Sequence, residues 1–256
     1  MCIRDSVPTA VIFDLGRGGG FGNRPDAAFG ARAASSTRSR GIARGAVGAG
    51  TGARSGGMQG GVGMASTVVL LTGRRVTVAA LAVVNSAGSA IDPESGLPWV
   101  SHRDLRRPSS ADRRSWAAAV APPEQPDTPA ATPAATPAMN TTIGVVATDA
   151  LLTRPEAGRL AQSAHDGLAR AIRPAHLLVD GDTVFGLATG VVALVESEPA
   201  FVRDPSSRTA ANSPLSAAAD MFAIACTDAV LTARTIGALP AYRDLCPTAY
   251  RGVRSS

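Results

Sequence analysis

One stretch divides this chain before anything else is considered. Ala121–Ala138 reads Ala-Pro-Pro-Glu-Gln-Pro-Asp-Thr-Pro-Ala-Ala-Thr-Pro-Ala-Ala-Thr-Pro-Ala. Each proline lacks a backbone N–H and holds its φ fixed, so the run belongs in neither a helix interior nor a central strand. Without large apolar side chains it builds no core, and it reads as an extended, exposed linker spanning about residues 119–139. The fold must therefore come from residues 7–140 and 141–256, which together read as one domain. The chain has 256 residues, 45% of them hydrophobic and only 4% aromatic. That length suits a substantial core, filled by Ala, Val, Leu and Ile.

Composition excludes several chemistries. The 25 basic residues are all arginine; there is no lysine. Walker-A phosphate binding, Schiff-base formation and Ser–Lys catalysis are thereby removed. The net charge of +5 would permit nucleic-acid binding, with arginines gathered over Arg32–Arg54 and Arg103–Arg114. Those segments lack interleaved aromatic rings, and the Ala/Gly/Arg bias fits a GC-rich coding sequence, so no nucleic-acid partner is expected. Cys2, Cys226 and Cys246 show no CxxC spacing, and His102, His165 and His176 no metal-ligand spacing. Neither a disulfide framework nor a zinc site is suggested. No apolar run comes near the roughly 20 residues of a membrane span, and no signal peptide is evident. A reducing, cytoplasmic location is the expectation. Met1–Ser6 reads as a non-native leader, with the reading frame cut at its 5′ end.

Periodicity then places elements. Val7–Leu15 is apolar and reads as a buried strand, and Arg24-Pro25-Asp26 opens a short helix over Ala27–Ala34. Val62–Leu71 and Val76–Asn85 read as strands, and Thr141–Ala147 as a third. Thr153-Arg-Pro155-Glu156 carries a helix-start signature for a helix ending near Ile172. Leu177–Val179 and Thr183–Ala188 flank Asp180-Gly181-Asp182, a hairpin signal. Ser216–Ala233 reads as a further helix. The pattern after the linker is β-α-β-β-α, and the whole is mixed α and β.

Five constellations carry candidate chemistry. Gly48-Ala-Gly50-Thr-Gly52-Ala53 matches a dinucleotide fingerprint formally, but it lacks a convincing flanking strand and helix and reads as a flexible or closely packed glycine loop. Asn140-Thr141 sits where linker meets strand. It is either a strand cap or a junction whose cleavage would free Thr141 as nucleophile, with its own α-amine as base. Asp180 and Asp182 place two carboxylates on one turn, able to orient an ammonium or to serve an ordinary Asp-Gly turn. Asn85, ending an apolar strand, offers an amide to an oxyanion or a hydrogen bond to the strand end. His165 and Asp166, mid-helix, read as satisfied helix residues.

In order along nearly the whole chain, Ala10–Leu15, Val47–Ala53, Gly60–Ser66, Val83–Asn85, Asn140–Asp149, Ala164–Arg170, Asp180–Phe185 and Pro240–Leu245 resemble the P1 family peptidases. These are the DmpA-like aminopeptidases, and the nylon-oligomer hydrolase branch is the nearest match. The resemblance implies a four-layer αββα sandwich of N-terminal-nucleophile type, truncated at its N-terminus. It implies autocleavage between Asn140 and Thr141 into α (7–140) and β (141–256) chains that stay together, in a homo-oligomer. Thr141 becomes the nucleophile, Asp180 and Asp182 orient its amine and hydroxyl, and Asn85 stabilises the oxyanion. Substrates would be short peptides, amino-acid amides or ω-amino-acid oligomers, with no cofactor, no nucleic acid and no membrane. Two departures stand out. Gln59 occupies the place of a family lysine, and the family's active-site tyrosine has no counterpart, because Tyr242 and Tyr250 lie near the C-terminus. An alternative is a catalytically impaired or truncated member with a structural or binding role.

Overall fold

Alternation in three long apolar runs sets the architecture. In a computed structural model, residues 8–17, 19–38, 41–71, 73–121, 139–194 and 205–250 are described, the last segment without side chains before Ser213. The strands are β1 (Arg54–Ser55), β2 (Met58–Gln59), β3 (Gly61–Leu71), β4 (Arg74–Asn85), β5 (Thr141–Ala150) and β6 (Thr183–Val192). The helices are α1 (Ala27–Ser35), α2 (Ser110–Val120), α3 (Arg154–Ala171), α4 (Pro205–Thr232) and α5 (Tyr242–Leu245).

β1 and β2 form a two-stranded ribbon, and the main sheet runs β3-β4-β5-β6. β3, β4 and β5 pair antiparallel, whereas β6 lies parallel to β5. The parallel pair demands a crossover, and α3 supplies it. Its start follows the sequence signature closely. The Thr153 hydroxyl accepts from the Glu156 N–H, and the Glu156 carboxylate accepts from the Thr153 N–H at 2.7 Å. This reciprocal cap satisfies two otherwise orphaned donors.

α3 and α4 lie on one face of the sheet. Even-numbered residues of β4 and β5 point at them: Val78, Ala82, Val84 and Val146 are fully buried or nearly so. Glycines let the helix backbone come close. A Cβ on Gly63 would lie 2.1 Å from the Ala225 carbonyl of α4, and one on Gly144 would lie 2.1 Å from the Phe222 ring. Phe222, Leu160, Leu168 and Ile172 fill the layer between helices and sheet.

Several expectations change. Residues 8–14 join no ladder, and Val11 is largely exposed, so the apolar run Val7–Leu15 is not a strand among the described residues. Apolarity alone does not make a strand where no neighbouring strand offers hydrogen bonds. The Asp180-Gly-Asp182 turn does not join a hairpin. Leu177–Val179 is not a strand, and β6 pairs with β5 instead. The order after residue 140 is thus β-α-β-α. The polar stretch ending at Arg114 contains the start of α2, where the Ser109 hydroxyl accepts from the Asp112 N–H. Ser213–Thr232 is long and apolar enough to cross a membrane, contrary to the run-length reading, and 67% of that window is buried in the fold. It is largely apolar because it packs against both the sheet and the neighbouring α3, while Asp220 and Ile224 stay exposed. The proline-rich run 122–138 and the leader Met1–Ser6 lie outside the described residues. Of the expected sandwich, the described residues form one main sheet and the helical layer on it.

Candidate active site

Strand register brings the site together. Asn85 at the end of β4 pairs with Thr141 at the start of β5, so their side chains share a sheet face. Counting from Thr142 and Gly144, which face the helices, that face is the one turned away from α3 and α4. Asn140 and Thr141 are both buried.

Two donors converge on the carbonyl of the Asn140–Thr141 peptide. The Thr141 hydroxyl donates to the Asn140 carbonyl at 2.5 Å, and the Gly181 N–H donates to the same oxygen at 2.9 Å. Two donors on one carbonyl draw charge to its oxygen and leave its carbon more electrophilic. Asn140 is held from the other side as well, since its N–H donates to the Val179 carbonyl at 3.0 Å. Gly181 also lies close to the hydroxyl: a Cβ there would sit 3.2 Å from Thr141 Oγ1, a tight contact that would press on that side chain. Its role was not legible before the structure, although the Asp-Gly-Asp turn marked its position.

Asp180 and Asp182 bracket Thr141 without bonding to it. Asp180 Oδ1 accepts from the Ala87 N–H at 3.1 Å and Oδ2 from the Leu177 N–H at 3.2 Å. Asp182 Oδ1 accepts from the Thr142 N–H at 2.8 Å, and Oδ2 lies 2.8 Å from His176 Nδ1. The nitrogen of Thr141 is still an amide in the uncut chain, so it presents no ammonium for either carboxylate to orient. The His176 ring lies 5.1 Å from that of His165, an association that sequence spacing did not reveal. Burial, followed by the neighbouring His176, holds the His165 imidazole below its ordinary range, against the pull of Asp182 and Asp166.

Asn85 is fully buried and spends its side chain locally. Its Oδ1 accepts from Arg17 Nη1 at 2.5 Å and from the Arg54 N–H at 3.0 Å, and its Nδ2 donates to the Phe13 carbonyl at 3.2 Å. Arg17 is the residue that sequence reading missed. Its Nη2 donates to the Met139 carbonyl at 3.0 Å and to Asn140 Oδ1 at 3.3 Å. A glycine-rich loop gave no reason to expect a guanidinium at a junction more than a hundred residues away.

Gln59 is fully buried beneath the glycine loop. Its Nε2 lies 3.0–3.3 Å from the carbonyl oxygens of Gly50, Thr51, Ala53 and Gly60, which share its two hydrogens, while Oε1 has no partner among the described residues. The amide thus fills a cradle of carbonyls. Neither tyrosine belongs to the site: Tyr242 is buried and donates to the Gly96 carbonyl at 2.6 Å, and Tyr250 donates to the Leu231 carbonyl at 2.9 Å. A cavity of about 460 Å³ opens beside the site, lined by Asp14, Arg17, Phe21, Gln59 and Leu239 among others. Among the described residues, no group of three or more His, Cys, Asp or Glu side chains is arranged to hold a metal ion.

Solved structures share this fold. The chain is similar to a Burkholderia sp. beta-aminopeptidase, with a TM-score of 0.54 at 23% identity over 90% of this chain and 56% of that one. It is also similar to the L-aminopeptidase D-Ala-esterase/amidase of Ochrobactrum anthropi, described as a variant of the Ntn hydrolase fold. There the TM-score is 0.53 at 24% identity, over 86% of this chain and 52% of that one. The fold is therefore of the N-terminal-nucleophile hydrolase type, as the family resemblance implied. The model of peptidase family S58 matches residues 7–241. An uncharacterized aminopeptidase of Mycobacterium tuberculosis is 44% identical over 250 residues, covering 95% of this chain and 68% of the relative. One of Mycobacterium leprae is 43% identical over 256 residues. The chain belongs to peptidase family S58. It spans about half the length of the two solved structures and about two thirds of the mycobacterial relatives.

Proposed function

We propose that the chain is a self-processing N-terminal-nucleophile aminopeptidase, cutting itself between Asn140 and Thr141 and then hydrolysing amides through an acyl-enzyme on Thr141. The observation that carries this reading is the pair of donors on the Asn140 carbonyl, one of them the hydroxyl that would attack it.

In processing, Thr141 Oγ1 adds to the Asn140 carbonyl carbon, and the Gly181 N–H stabilises the charge arriving on oxygen. The C–N bond breaks, the nitrogen takes a proton, and the acyl group rests on Thr141 as an ester. Water then supplies a hydroxyl to the acyl carbon and a hydrogen to Oγ1, leaving Asn140 as a carboxylate and Thr141 with a free amine. An α-amine titrates near pH 8, which suits a base acting at neutral pH. A substrate amide repeats the sequence: attack by Oγ1, departure of the amine, and hydrolysis of the ester. Asp182 holds the β5 backbone beside the nucleophile, and Asn85 lies opposite it to share the oxyanion. Substrates are the N-terminal residues of short peptides, amino-acid amides and, if the chain falls in the nylon-oligomer hydrolase branch, ω-amino-acid oligomers.

Intact-mass measurement tests this. Two polypeptides separating at Asn140/Thr141 are expected on incubation, with hydrolysis of aminoacyl-p-nitroanilides following cleavage. A single mass that persists, with no hydrolysis, would overturn the reading.

A further inference from the structure

The residue preceding the nucleophile marks where a substrate's acyl group must lie. In processing and in turnover the same hydroxyl attacks a carbonyl, so the attacked residue occupies the same ground in both. Here that residue is Asn140. Its N–H faces the Val179 carbonyl at 3.0 Å, which is where the amino group of a substrate's first residue would donate. Its side chain faces Arg17, 3.3 Å from Oδ1 to Nη2.

Departure of the cleaved segment changes the balance around Arg17. Among the described residues, Nη2 bonds to the Met139 carbonyl and Asn140 Oδ1, and both belong to the departing tail. Nη1 keeps Asn85 Oδ1. The guanidinium is half-buried, so donors stripped of their partners carry a desolvation cost unless new oxygens arrive. Among the described residues its hydrogen bonds all go to neutral oxygens. Arg54 stands near enough, after burial itself, to disfavour its charge, while Asp14 favours it. The local field is that of two cations against one carboxylate. A carboxylate at the vacated position returns two oxygens and a negative charge in the geometry a guanidinium matches best. The cavity lined by Arg17 gives such a group room.

We propose that Arg17 determines specificity, and that the preferred substrates carry an acidic or carboxamide side chain on their first residue, aspartyl amides and peptides foremost. The proposal rests on the reading of Asn140-Thr141 as the self-cleaving junction. Aspartate is favoured because it has the length of Asn140 and carries the charge.

The experiment compares aspartyl, asparaginyl, glutamyl, alanyl, leucyl and lysyl p-nitroanilides on the processed protein, with cleavage followed by intact mass. Charge-assisted hydrogen bonds are worth about 1.5–3 kcal/mol, so kcat/KM for the aspartyl substrate should exceed that for leucyl by about 10- to 100-fold. Arg17→Gln should bring that ratio close to one, mainly through KM, and Arg17→Glu should favour the lysyl substrate. Arg17→Lys keeps the charge and should keep the order, which guards against variants that fail to process. Processing and turnover with no preference for acidic or carboxamide residues would overturn the specificity and leave the enzyme reading intact. Neither processing nor turnover on any substrate would overturn both.

Discussion

The two faces of the main sheet do different work. On the face toward α3 and α4, alternate residues are buried aliphatics interrupted by Gly63, Gly144 and Gly186, where helix atoms come within 2.1 Å of an added Cβ. The opposite face carries Asn85 and Thr141 at one end, and exposed Val68, Leu70, Leu187 and Val191 toward the other. The first face tolerates no added volume, because close-packed interiors have none to give. The second can change side chains without disturbing the core. Packing fills one face, and the proposed chemistry sits on the other.

Separating those properties by mutation is the sharpest test of the comparison. The largest effect is expected from Thr141→Ala. Loss of a nucleophile costs a factor on the order of 10⁶ in turnover, so cleavage and hydrolysis should vanish, while Tm changes little; Thr141→Ser should restore both. If Thr141→Ala unfolded the protein, the division between faces would fail. Next comes Gly144→Val on the packed face. It drives a branched side chain into the Phe222 ring and should cost about 1–3 kcal/mol by overpacking, read as a lowered denaturant midpoint. A variant that folds as stably as the parent would show that the helical layer yields.

A smaller effect is expected at the helix start of the crossover. Thr153→Ala removes a cap that Glu156 returns reciprocally, and should cost about 1 kcal/mol. Acid sensitivity should come partly from His165. Its imidazole is held below the ordinary value near 6.5 by burial, so the folded state binds fewer protons than the unfolded one. That contribution is complete above about pH 6.5 and is lost as pH falls below it. His165→Gln should therefore flatten the drop in Tm between pH 7.5 and 5. An equally steep drop would assign the acid sensitivity elsewhere. Least of all, Val191→Ser on the open face should shift stability by under about 0.5 kcal/mol in thermal melts.

Much of the fold was legible because its causes are local. The alternation in Val76–Asn85 and Thr141–Ala147 located β4 and the start of β5 within a few residues, and Thr153 with Glu156 marked the start of α3. From residue type and position Thr141, the Asp180/Asp182 pair and Asn85 were candidates beside ordinary structural readings, their roles came from the family resemblance, and register brings Asn85 and Thr141 together. The misses share a cause. An Asp-Gly pair signals a chain reversal but not which strand follows, so Asp180–Asp182 read as a hairpin when β6 pairs with β5. The apolar Val7–Leu15 run read as a strand because composition does not say whether a neighbour exists.

The sequence by itself determined periodicity, caps, the absence of lysine and a hydroxyl at the strand start, since each depends on residues a few positions apart. Only the tertiary structure decided what surrounds the Asn140–Thr141 peptide. The Gly181 N–H reaches the Asn140 carbonyl because β6 runs alongside β5, and Arg17 reaches the same junction across 123 positions of chain. Such contacts follow from strand order and register, and no local pattern records them.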